Sequence, residues 1–448
     1  MDLRIKQTKK LQGTLTVPGD KSISHRAIML GAIATGTTEV TGFLMGQDCL
    51  STVDCFRKLG INIAIDNSRV KIEGKGLDGL KEPVDILDVG NSGTTIRLIS
   101  GILAGQDFTS FLTGDQSIRK RPMARITKPL TEMGAEIIGR QNGNLAPLAI
   151  KGGNLKKIKY TTPVASAQVK SSILLAGLYA EGWTEITEPI KSRNHTELML
   201  KSFGAQVEED DITNTVRVKG RPELVGGEIK VPGDISSAAF FLTAGAIIPE
   251  GSLTITNVGL NPTRTGIIDV LEEMGAQIKV FNKQKTTGEV IGDIKIESSS
   301  LKGIKIGGEM IPRLIDEIPI LAVAASCASG VTEIRNAEEL KVKESNRLAA
   351  IARELNKLGA KIEELPDGLK IYGGQTLKGT ICDSYDDHRI AMALAIAGLV
   401  AQGETIIKNS DIIDVSFPNF TKTLQKLTNT NSLITNFLNQ ELDLVFLW

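Results

Sequence analysis

Hydrophobic positions along this chain fall into two kinds of run that alternate. The first kind is apolar on almost every side: MLGAIATG, LISGILAG, LLAGLYAEG, LTAGAIIPEG, AVAASCASG and LAIAGLVAQG. After a turn, a short Thr/Ile-rich stretch follows, as in TTEVTG, TEITEP and SLTITNVG. Small apolar residues without a polar stripe predict a helix buried on every face, and the run after it predicts a strand. The second kind closes on glycine: FRKLGINIAI (56–65), LTEMGAEIIG (130–139), LKSFGAQVEE (200–209), LEEMGAQIKV (271–280) and LNKLGAKIEE (355–364). Gly60, Gly134, Gly204, Gly275 and Gly359 each end a helix and are followed by a strand-like run, an αβ junction.

The turns after the apolar runs, at Gly36, Gly105, Gly182, Gly251, Gly330 and Gly403, lie about 70–80 residues apart, which marks an internal repeat of six units. A longer duplication overlies it: GTLTVPGD (13–20) matches GEIKVPGD (227–234), three units later. The expected fold is α/β, two similar domains of three repeats each. One spans 20–230; the other combines 1–19 with 231–448, and the chain crosses near 15–20 and 228–234. PGD, present in both halves, is expected to be a crossing turn in which proline fixes φ and glycine permits the bend.

Composition narrows the picture. A chain of 448 residues exceeds what one core holds. Lys plus Arg and Asp plus Glu are both 52, so nothing global draws the chain to nucleic acid or an anionic membrane. No apolar run reaches the ~18 residues of a membrane span, and MDLRIKQTKK has no signal core. Cys49, Cys55, Cys327 and Cys382 show no CxxC spacing and are expected to be reduced, mostly buried thiols in a cytoplasmic protein.

Chemistry is expected where the halves differ. Only the first PGD continues as KSISHR, placing Lys21, Ser22, His25 and Arg26 at a helix start. DVGNSGTTIR (88–97), RKRPMARI (119–126), VASAQVKSS (164–172) and KSRNHTE (191–197) are further polar or basic stretches of the first half. The second half adds LIDEIPILAVAA (314–325), KVKESNR (341–347) and SYDDHRIAMA (384–393). Singly, each fits a capped or solvated helix end. Together they put cations at the starts of the buried helices. If those starts face one another, they form a cationic cleft for a small polyanion, with Asp316 and Glu344 as proton-transfer candidates.

In this order, PGDKSISHRA, GNSGTTIR, RPM, SAQVKS, a DE-x-P segment, VKES-x-R and DDHRIAMA resemble the EPSP synthase family over roughly residues 10–425. The resemblance implies domains of three βαβαββ-type repeats with helices packed inside the sheets, an inside-out α/β barrel. It implies transfer of the carboxyvinyl group of phosphoenolpyruvate to the 5-hydroxyl of shikimate 3-phosphate, by addition and elimination through a tetrahedral intermediate, with release of phosphate. By motif match, Lys21, Ser22, Arg26, Ser166, Gln168, Arg193, Asp316 and Lys343 hold shikimate 3-phosphate. Lys21, Gly93, Arg121, Gln168, Arg347 and Arg389 hold phosphoenolpyruvate. Asp316 is the implied base at the 5-hydroxyl and Glu344 the acid at the methylene carbon, with Lys21 beside them in the chemistry. No metal or organic cofactor is implied, and a monomer is expected. Cations from both halves imply a cleft that stands open and shuts around ligand.

Some positions depart from the family pattern. Asn346 stands where many members have Asp, Val415 where some have Lys, and the ending from 428 to 448 is unusual. Arg97, Arg119, Arg125 and Lys170 could touch ligand or support residues that do. The related UDP-N-acetylglucosamine enolpyruvyl transferases carry a cysteine in the loop before Arg-Pro, where this chain reads TGDQSIRKRP, and a Lys-Asn where it has Lys21-Ser22. A non-catalytic anion-binding protein is the alternative from another class, and the presence of Lys21, Asp316 and Glu344 weighs against it. The resemblance also implies sensitivity to glyphosate, which occupies the phosphoenolpyruvate site in this family, at a position where Gly93 matters.

Overall fold

A computed structural model describes residues 1–286, 288–429 and 434–437. Among them the fold is mixed α/β, with six four-stranded sheets. Each sheet has one parallel pair at its edge and antiparallel pairing across the rest. In the simplest, strands 87–88, 109–113, 145–151 and 136–139 lie in that spatial order. The first pair is parallel and the others antiparallel. Alternation sets the outward face: Val70 and Ile72 are buried while Arg69, Lys71 and Glu73 are exposed on the same strand.

Strand exchange links the two ends of the repeat. Strand 10–16 runs into helix Lys21–Ile33, yet pairs in parallel with strand 250–259. Strand 228–230 leads to helix Ile235–Ile247, yet pairs in parallel with strand 35–41. Strand 2–6 pairs antiparallel with both 404–408 and 434–437, the last strand described. The buried apolar side chains form two clusters, one drawn from residues 23–231 and the other from 3–17 and 235–427.

The apolar runs are buried helices, as their composition predicts. In Ile235–Ile247, twelve side chains from Ile235 to Ala246 are buried. The helices touch at small residues: a Cβ at Gly101 would lie 2.1 Å from the carbonyl oxygen of Ser172 on the neighbouring helix. The five junction glycines have φ between 88° and 111°, the left-handed geometry of a helix C-terminus. The sixth junction is hidden in the sequence because asparagine replaces glycine. Helix Phe420–Thr428 ends on Asn429 at φ 53°, and strand 434–437 completes its sheet. The remainder of the unusual ending lies outside the described residues.

Two local expectations change. The PGD glycines do not bend the chain through a left-handed φ. Gly19 and Gly233 bridge each other in antiparallel fashion, and a Cβ on Gly19 would lie 1.9 Å from the Gly42 carbonyl oxygen, so close approach is what requires glycine there. The short spacing within KVKESNR would fit one helical turn, yet Lys343, Glu344 and Arg347 do not share one. Asn346 caps a helix that begins only at Arg347, leaving Lys343 and Glu344 in the preceding bend. All four cysteines are free, three of them buried. No described helix is long and apolar enough to cross a membrane.

Gly101→Ala is expected to lower the unfolding free energy by about 1–3 kcal/mol through forced separation of the two helices. A shift of the urea midpoint at constant slope checks this.

Candidate active site

A helix buried on all sides presents only its ends, and here the starts of all six converge on one cavity of about 370 Å³. Lys21 and Ser22, Gly93 and Thr94, Ser166 to Gln168, Asp234, Asp316, and His388 with Arg389 line it from the six helix starts or the one or two residues before them. Side-chain caps hold most of these starts: Asp20, Ser92, Ser166, Asp234 and Asp387 each accept a backbone N–H of the first turn. The remaining first-turn N–H groups and their dipoles favour an anion.

Ten Lys or Arg side chains line the cavity against six Asp or Glu. All thirteen residues singled out in the sequence are there: Lys21, Ser22, Arg26, Gly93, Arg121, Ser166, Gln168, Arg193, Asp316, Lys343, Glu344, Arg347 and Arg389. Arg97 and Arg125 line it as well, whereas Arg119 and Lys170 are outside the lining. Lys170 is buried between Glu188 and Glu197, 2.8 Å from each. His25 turns into the core, its Nδ1 2.7 Å from Thr52 Oγ1. The lining among described residues does not include Val415.

Several cations are held by neutral partners, so their charge is not cancelled. Arg26 donates to Thr196 Oγ1 (2.7 Å), Ser171 Oγ (2.8 Å) and the Ser22 carbonyl (2.9 Å). Arg97 donates to Gln168 Oε1 (2.8 Å) and to the Pro122 carbonyl (3.2 Å), while Gln168 Nε2 donates to Thr94 Oγ1 (3.0 Å). Arg121 also bonds Asn91 and Ser117, though Glu344 partly offsets its charge. Burial lowers Arg26 and Arg97 to about 10, which leaves both charged at neutral pH.

The acids sit on the other cations. Asp316 lies 2.7 Å from Arg193 Nη2, 3.2 Å from Arg347 Nη1 and 3.5 Å from Lys343 Nζ. Glu344 lies 2.6 Å from Arg347 Nη2 and 3.6 Å from Arg121 Nη2. Arg347 therefore touches both, and its remaining donors reach the buried Asp387. Burial alone would raise the Asp316 carboxyl, but Lys343, Arg193, Arg389 and Arg347 hold it well below the usual carboxylate range. Burial is likewise outweighed at Glu344, by Arg347, Arg121 and Lys21. Burial and then Lys21 push His388 well below its ordinary value, so its ring is neutral. Lys21 is buried yet raised, because Asp48 lies 2.8 Å from its Nζ.

These contacts span the first and second halves of the sequence. Arg193–Asp316, Arg121–Glu344 and the short Arg125–Glu339 pair all do so. The structure thus has the two faces joined, not standing open, because carboxylates of the second half fit guanidinium groups of the first. Sequence reasoning missed Asp48, His195 and Arg264. Asp48 sits in the first turn of a helix that starts at Gln47 and was not singled out, and Arg264 is in NPTRTG, which has no counterpart in the first half. Among the described residues no group of three or more acidic, His or Cys side chains is placed to hold a metal ion.

Comparison with known proteins follows the same line. The EPSP synthase (3-phosphoshikimate 1-carboxyvinyltransferase) family profile matches residues 5–424. The 3-phosphoshikimate 1-carboxyvinyltransferase of Desulforamulus reducens is 58% identical over 428 residues, 95% of this chain and 99% of that protein. That of Pelotomaculum thermopropionicum is 59% identical over 429 residues, with the same coverage. A solved EPSP synthase from Acinetobacter baumannii superimposes with a TM-score of 0.86 at 46% identity, covering 97% of this chain and 99% of that one. With a profile spanning nearly the whole sequence and relatives this similar, the chain belongs to the EPSP synthase family.

Proposed function

We propose that this cavity transfers the carboxyvinyl group of phosphoenolpyruvate to the 5-hydroxyl of shikimate 3-phosphate, releasing phosphate, in a cytoplasmic monomer. The observation that carries the roles is the placement of Asp316 and Glu344 in one cationic cavity, both on Arg347. We further read the chain as two lobes, 20–230 and 1–19 with 231–448, each an inside-out barrel of three βαβαββ units with the cavity between them. The two apolar clusters and the exchanged strands support that division.

Shikimate 3-phosphate is assigned to Lys21, Ser22, Arg26, Ser166, Gln168, Arg193, Asp316 and Lys343. Phosphoenolpyruvate is assigned to Lys21, Gly93, Arg121, Gln168, Arg347 and Arg389. Arginine forks suit carboxylate and phosphate, and each charge-assisted bond contributes about 1.5–3 kcal/mol. In the addition step Asp316 takes the proton of the 5-hydroxyl as its oxygen bonds to the enol carbon. Glu344 gives a proton to the methylene carbon, which becomes a methyl group. The tetrahedral intermediate then loses a methyl proton and phosphate together, restoring the double bond. Holding both reactants in attack geometry lowers the barrier by up to roughly 7–11 kcal/mol.

Phosphate release from phosphoenolpyruvate is expected to depend on shikimate 3-phosphate, and release that ignores the second substrate would refute the reading. Asp316→Ala is expected to lose about 10²–10⁴-fold in turnover while still binding both substrates by calorimetry.

Glu344 is held ionised by the guanidinium groups that phosphoenolpyruvate is assigned to, so it can act as an acid only once the ligand's charges offset them. Its carboxyl should therefore rise on binding and take up a proton. Calorimetry in buffers of different ionisation enthalpy is expected to show more proton uptake on ternary-complex formation in wild type than in Glu344→Gln.

A Cβ at residue 93 would lie 2.8 Å from the Nη1 atoms of both Arg121 and Arg97. Gly93→Ala is expected to displace these guanidinium groups at little cost in stability, weakening glyphosate inhibition and raising the KM for phosphoenolpyruvate. Unchanged inhibition in that variant contradicts the assignment.

A further inference from the structure

Where the chain crosses, a buried charge cluster stands that the assignments above do not use. The Asp20 N–H donates to the Pro232 carbonyl at 2.7 Å and the Asp234 N–H to the Pro18 carbonyl at 2.9 Å. This reciprocal pairing brings together two aspartates that are 2% and 6% exposed. Each caps a buried helix: Asp20 accepts from the Ile23 N–H and Asp234 from the Ser236 N–H, both at 2.9 Å. Buried carboxylates so close repel unless a cation lies between them.

Arg264 is that cation. Its Nη1 lies 3.1 Å from Asp20 Oδ2 and its Nη2 2.9 Å from Asp234 Oδ1. Burial would lower its pKa, but the two aspartates raise it, so it stays charged. One arm of the fork reaches each crossing, which a lysine cannot reproduce.

The cluster extends toward the cavity on three sides. Arg264 Nη1 lies 3.3 Å from His195 Nε2, and His195 Nδ1 lies 2.6 Å from Glu289 Oε1, so the ring fits as donor to Glu289 and acceptor from Arg264. His195 is two residues from Arg193. The backbone N–H of Lys21 donates to Asp234 Oδ2 at 3.3 Å. Arg264 Nη2 donates to Ser236 Oγ at 2.7 Å, and Ser236 in turn makes a short bond to Glu317, whose carboxylate is 3.8 Å from Arg389. A buried triad of this kind is a weak source of stability, because desolvation offsets much of the attraction. Its position supplies another use.

We propose that Arg264 is a positioning residue: by forking onto Asp20 and Asp234 it fixes the angle between the two crossover helices and so sets Lys21 against Arg389 across the cavity. The proposal rests on the reading of Lys21 and Arg389 as groups that hold phosphoenolpyruvate.

The test compares Arg264→Lys, Arg264→Gln and the triple variant Asp20→Asn/Asp234→Asn/Arg264→Gln. The triple variant removes all three charges together, and asparagine still caps the helices. It therefore remains informative if Arg264→Gln fails to fold. The triple variant is expected to unfold near the wild-type midpoint, yet to lose ~10-fold to 100-fold in kcat with a raised KM for phosphoenolpyruvate. Arg264→Lys is expected to fall between the two. A folded triple variant with wild-type kcat and KM overturns the proposal, as does a loss explained wholly by unfolded protein. Lys21→Met separates the two readings. If it loses phosphoenolpyruvate binding while the triple variant works normally, only the role of Arg264 falls. If Lys21→Met binds normally, the reading of Lys21 falls and this proposal with it.

Discussion

A helix enclosed on every side can meet solvent and ligand only through its ends, and the rest of this structure depends on that constraint. Enclosure requires small apolar residues along the whole helix, which is why contacts as close as Gly101 to Ser172 occur. It also concentrates unpaired N–H groups and partial positive charge wherever the starts converge. Six such starts meeting at one cavity make a cationic site in a chain whose formal charge is zero. The arginines and lysines extend a field that the backbone already supplies.

That concentration has a counterpart in the acids. Asp316 and Glu344 lie on the forks assigned to the substrates, and pairs such as Arg193–Asp316 join the two faces. The protein thus offers its own carboxylates to its own cation sites. Incoming phosphate and carboxylate groups must compete with them, and in displacing them they alter the field that sets each acid's protonation. Binding order, closure and proton transfer are in this way tied to one set of contacts around Arg347.

Much of this was legible in the sequence, and what was not has physical causes. The repeat could be counted because buried helices and glycine-ended junctions have strong local signatures. The sixth junction was hidden because Asn429 takes the left-handed conformation usually left to glycine. The thirteen cavity residues could be named because they lie in contiguous motifs that resemble those of a known family. Arg264 and Asp48 were not, since their importance comes from partners 244 and 27 residues away. Spacing along the chain carries no trace of such pairs. The PGD turn was recognised as shared but misread mechanically: a close backbone approach and a bend both select glycine, and only coordinates separate them.

The exchanged strands bear on how the molecule is made. Strand 2–6 is made long before its two neighbours in the sheet, 404–408 and 434–437. Until residues 404–408 are made, that strand has neither neighbour and must stay unpaired or find a temporary partner. Pairings this distant along the sequence are slow to form, and they leave a bare strand edge exposed in the meantime.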